Sequence, residues 1–187
     1  MDAFEYLSVL ISIVLGLALT QLLTGAARLV QARGRVRPYW PALLWTGGLL
    51  MILVQSWWAM FELRDHAPWT MAEFALILAH PTLLFFMSVL LLPDAELEGA
   101  IDLKANYYAQ APWFFAAATL VVLVSLARPI VFDGGFPLDA DRIFQLFFLA
   151  AALACAVIRR ERLHQAVAIA LPLSLLVYFG LLFFQLR

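Results

Sequence analysis

The chain has 187 residues, of which 65% are hydrophobic and 13% charged, with a mean hydropathy of +0.91. A water-soluble domain runs nearer half apolar and a quarter charged, so the surface needed to face water is missing and the expected solvent is lipid. A formal net charge of -1 excludes the basic footprint of a nucleic-acid partner, and the lone Cys155 excludes an internal disulfide and a cysteine-cluster metal site.

A hydrocarbon layer takes about 20 apolar residues per helix. Six such runs occur, at residues 6–30, 40–61, 69–92, 113–132, 140–158 and 163–185. Each is bounded by proline, arginine or acid, and Tyr39, Trp40, Trp69, Tyr107, Tyr108 and Trp113 fall where headgroup anchors belong. The runs are too long and too uniformly apolar for barrel strands, so the fold class is all-α. A polytopic transmembrane bundle is expected, one domain over residues 1–187, because no connection exceeds roughly 20 residues.

The first run opens on Met1-Asp2-Ala3-Phe4-Glu5, which lacks the basic region of a signal peptide, so the helix is expected to remain. Along it Ser8, Ser12, Gly16, Thr20 and Thr24 recur every fourth residue. Such a stripe lets another backbone approach closely, either a neighbouring helix of the same chain or a second copy in a homo-oligomer. Gln21 lies beside the stripe, where an amide is expected to bond across to another helix.

In the second run Gln55 and Glu62, seven apart, share one face with Trp58 between them. The third carries His80 at its middle, followed by Pro81, which frees the carbonyl of Ile77. Ionisable residues inside a membrane are costly and mark candidate sites. Glu73 stands two turns before His80 on the same face, which suggests a proton relay. The alternative is a neutral histidine satisfied by one hydrogen bond, with Glu73 at the interface.

The segment Pro93 to Pro112 reads as a loop, acidic and then aromatic, with room for a short interfacial helix. Arg128 precedes Pro129 at the outer end of the fourth run, and Asp139 is placed to cap a fifth that begins with Asp141 and Arg142. Together Glu62, Glu73, Arg128, Asp141 and Arg142 form either a charged outer vestibule over His80 or a set of caps and snorkelling side chains.

Lysine and arginine number eight on the loops after runs one, three and five and four on the opposite side, which puts both termini outside. The only lysine, Lys104, lies in the predicted loop, which leaves no residue for a retinal Schiff base. His66, His80 and His164 fall at three different depths and cannot pair on a haem. No metal-protease, nucleophile-elbow or phosphate-loop motif occurs, so neither a catalytic residue nor a cofactor is expected.

Phe4-Glu5-Tyr6-Leu7-Ser8-Val9-Leu10, Leu15-Gly16-Leu17, Gln55-Ser56-Trp57-Trp58, Leu92-Pro93-Asp94 and Tyr107-Tyr108 ahead of Trp113-Phe114-Phe115 carry a further hint. In them the chain resembles an uncharacterised family of small bacterial six-helix membrane proteins. The resemblance implies a bacterial inner membrane and brings no activity with it. With the bilayer and further copies of the chain in a homo-oligomer as the expected partners, the leading expectation is a channel or carrier for a proton, ion or small solute. Its path runs from the vestibule to His80 and on toward Gln21 and Ser88. The rival is a non-transporting scaffold or sensor that acts through helix assembly, and a quinone- or lipid-handling enzyme ranks last.

Overall fold

Hydrocarbon offers no partner to backbone N–H and C=O groups, so each apolar run must satisfy its own by coiling. The computed structural model describes residues 3–66, 68–93 and 99–182. Over these residues it contains six α-helices: α1 (Ala3–Gln31), α2 (Trp40–Ala59), α3 (Met71–Leu91), α4 (Leu103–Asp133), α5 (Ala140–Val157) and α6 (Glu161–Leu182). A 3-10 turn, Met60–Leu63, prolongs α2. The helices α1 to α5 are long and apolar enough to cross a membrane.

The helix ends follow from local chemistry. Thr70 starts α3 with a capping box, its hydroxyl taking the Glu73 N–H while the Glu73 carboxylate takes the Thr70 N–H. Asp139 caps α5 by accepting from the N–H of Arg142. Gly134, at φ 66°, closes α4 in the left-handed conformation that favours glycine.

α4 corrects one expectation. It begins at Leu103 rather than Trp113 and runs through Pro112 without a break. The Asp102 carboxylate accepts from the N–H groups of Lys104 and Ala105, at 2.9 and 3.0 Å, which gives the helix its start in the predicted loop. Asp94, Glu96 and Glu98 lie outside the described residues.

Alternating helix directions gather the connections at two ends. At one, called here the Tyr39 end, β1 (Val36–Arg37) pairs in parallel with β2 (Ile101–Asp102). The other, the Glu73 end, holds the α2–α3 and α4–α5 connections. α3 packs mainly against α1 and α4, α4 against α5, and α6 chiefly against α2 and α5. The core runs through Leu15, Leu22, Leu49, Leu84 and Phe115. Outward, Ile13, Leu17, Val54, Trp113 and Leu173 are each more than half exposed, an apolar surface suited to lipid.

The stripe on α1 is not a packing groove within the chain. Gly16, Thr20 and Thr24 are exposed, Ser8 and Ser12 half-buried, and no atom lies within 4 Å of a Cβ placed on Gly16. Ile11, Leu15, Ala18 and Leu22 supply the buried face instead. Close approach comes one face over, at Gly25, where a Cβ would stand 3.2 Å from Leu92 Cδ1.

Candidate functional site

A cavity of about 450 Å³ enters the bundle from the Glu73 end, and all six helices contribute to its wall. Glu62, Arg128, Asp133, Asp141, Arg142 and Gln145 form its mouth. Counting from the helix ends at that face, Gln55 and Ser125 lie ~12 Å down, His80 ~15 Å, and the floor of Trp45 and Met87 ~25 Å. Of the five residues expected in a vestibule over His80, Glu62, Arg128, Asp141 and Arg142 are in the wall and Glu73 is not.

The first turns of α5 assemble the mouth. Gln145 Oε1 accepts from Arg142 Nη1 at 2.7 Å, and Gln145 Nε2 donates to Asp141 Oδ2 at 3.0 Å. Arg142 Nη1 also stands 3.1 Å from Asp141 Oδ2. Arg142 is only 9% exposed, and its Nε, fully buried, has no hydrogen-bond partner. Leaving a charged donor in that state is expensive. Across the mouth Arg128 Nη2 is 3.9 Å from Glu62 Oε2, a separation beyond hydrogen bonding.

His80 sits deep in the bundle, yet its ring is partly accessible because it faces the cavity. Arg128 lies within electrostatic reach of it. Pro81 and Pro129, both in the cavity wall, deprive the carbonyls of Ile77 and Ser125 of their helical donors. Among the described residues the side chains of Gln55, His80 and Ser125 make no hydrogen bond, whereas Ser56, Thr82 and Thr119 bond back to carbonyls of their own helices. The cavity therefore holds a belt of polar groups with capacity to spare at half its depth.

Glu73 and His80 do not form the suggested relay. Glu73 Oε2 accepts from the Thr70 N–H at 2.6 Å, and Oε1 stands 3.2 Å from His66 Nε2 without hydrogen-bond alignment. Its carboxylate is spent at the helix start. The sequence Thr70-Met71-Ala72-Glu73 carries the capping-box spacing that signals this. Gln21 is exposed on α1 and remote from the cavity wall. Ser88 is buried, bonded to the Phe85 carbonyl, and likewise outside it.

Below the floor the Tyr39 end is closed by a network in which Tyr39 and Tyr107, expected as headgroup anchors, are instead buried. His164 is fully buried, with Nε2 2.9 Å from the Ile158 carbonyl and Nδ1 3.0 Å from the Tyr107 hydroxyl. The carbonyl can only accept, so Nε2 carries the proton and Nδ1 accepts from Tyr107. Tyr39 and Tyr108 meet through their hydroxyls at 3.2 Å. Burial, with the bond to Tyr108, holds the Tyr39 phenol well above its ordinary pKa. Phe115 packs its ring 5.4 Å from His164 with no exposed surface, so the cavity does not continue through this end.

Compared with known proteins, the chain matches no family model, no curated protein and no solved structure, and no residue assignment is carried over from elsewhere.

Proposed function

We propose that the protein is a membrane carrier that admits a small solute or ion through the Glu73 end and holds it at the polar belt formed by Gln55, His80 and Ser125. The observation that carries this reading is the cavity itself, walled by all six helices and lined at mid-depth by polar groups without protein partners. Buried polar groups are normally paired, and unpaired ones facing a void are ready to bond a guest. A cavity closed at one end fits alternating access better than an open channel. By the lysine and arginine distribution the mouth faces outward.

Proteoliposomes carry the test. Flux of protons, alkali cations, monocarboxylates or urea is expected for the wild type and is expected to fall at least tenfold in His80→Ala. Ser125→Cys should react with an aqueous thiol reagent added at the mouth side, against a silent background because Cys155 is buried. No flux across the panel together with an unreactive Ser125→Cys would defeat the proposal.

A second reading, the non-transporting scaffold that assembles with itself, draws on one observation. Gly16, Thr20, Gln21 and Thr24 face away from the bundle, where a second copy can reach them. On that reading His80→Asn is silent and loss of assembly abolishes function.

A further inference from the structure

The cavity has a chemical gradient along its length, and the gradient identifies a class of guest. At the mouth the buried Arg142 guanidinium commits Nη1 to Gln145 and Asp141 and leaves Nε without an acceptor. Arg128, held loosely by Glu62, brings a second cation to the same rim. Below them Ile52, Leu76 and Val122 alternate with the polar belt, and beyond the belt the wall is apolar, ending on Leu84, Met87 and the ring of Trp45. From Arg142 to that floor is ~20 Å along the bundle axis.

We infer that the cavity binds an amphiphilic organic anion, with its oxygen head between the Arg142 and Arg128 side chains at the rim and its apolar chain extending past His80 to the Trp45 floor. The inference rests on the cavity being a solute site and changes where the guest's charge is held, at the mouth, with its chain crossing the belt of Gln55, His80 and Ser125. An anionic oxygen at the rim can accept from the loosely held Arg128, and a charge-assisted bond to a guanidinium is among the stronger hydrogen bonds available. Asp141 and Glu62 neutralise the arginines in the empty state. A small inorganic anion would satisfy the rim and leave the apolar floor unfilled. The head can belong to a free carboxylate entering from water or to an anionic lipid entering from the bilayer.

The test places a heavy atom at the tail. ω-Bromolaurate added to the full-length protein in phosphatidylcholine nanodiscs should quench tryptophan fluorescence with a saturable component, and that component should vanish in Trp45→Phe. Arg142→Gln should weaken it at least tenfold, and Arg128→Gln, which spares the hydrogen bonds of α5, should weaken it severalfold. ω-Bromododecanol, the neutral counterpart, should give only the non-saturable quenching of lipid-facing tryptophans. Competition by added phosphatidylglycerol identifies a lipid source, and its failure to compete identifies a free acid. Equal saturable quenching by the alcohol overturns the anionic head while leaving the cavity a solute site. Absence of any saturable component with either probe overturns the site as well.

Discussion

The two ends of this bundle use the same kinds of residue to opposite effect. At the Tyr39 end a histidine and two tyrosines are buried, a third tyrosine is half-buried, all are paired, and the result is a plug. At the Glu73 end a histidine, a glutamine and a serine at mid-depth and an arginine nitrogen at the mouth lack partners, and the result is a cavity. Inside a membrane bundle it is the completeness of hydrogen bonding, more than the presence of a polar side chain, that separates structure from site.

The sharpest break of that contrast is between the two histidines. His164→Ala removes the partner of both Tyr107 and the Ile158 carbonyl and opens a void, an expected loss of ~3 kcal/mol. His80→Ala gives up no hydrogen bond and enlarges a space that already exists, so it should cost under about 1 kcal/mol. Thermal unfolding of both variants in detergent checks the pair, and equal losses would erase the distinction between the ends.

The glycines of α1 offer a comparison of middle size. Gly25→Leu drives a side chain into Leu92 and should destabilise the protomer by ~1–3 kcal/mol. Gly16→Leu meets open space and should leave protomer stability unchanged. If copies assemble through this face, Gly16→Leu should lower the dimer fraction in native mass spectrometry. An intact assembly would instead leave the stripe facing lipid. The smallest effect is expected at the mouth. Arg128→Gln loses a loose, partly exposed pair, so its unfolding temperature should hardly move, consistent with the modest worth of such pairs.

The helices were legible in the sequence because hydropathy reports the cost of hydrocarbon residue by residue. The start of α4 was not, since residues 103–112 coil beyond the part of the chain where that cost dominates and only the Asp102 cap marks their beginning. Four of the five vestibule residues could be anticipated by counting 1.5 Å per residue from the helix ends, because depth is a one-dimensional quantity. Direction around a helix is harder to read; it defeated the placement of Gln21 and left the stripe with two possible partners, of which the structure removes the one within the chain. In an apolar chain both faces of α1 are greasy, so nothing in its pattern says which side turns inward. The Tyr107–His164 bond joins residues 57 apart, each unremarkable alone.

The parallel pairing of Val36 with Ile101 and Arg37 with Asp102 bears on how the plugged end is held together. It braces the α1–α2 connection to the start of α4, and α3 is wedged between α1 and α4, so four helices form one stiff frame. The sixth stave has no such brace. α6 leans chiefly on α2 and α5, and the Lys104–Glu161 contact that ties its beginning to α4 is an exposed ion pair of little strength. Among the described residues the one buried side-chain hydrogen bond between α4 and α6 runs from Tyr107 to His164, so the start of α6 is fastened to α4 at the Tyr39 end by that bond.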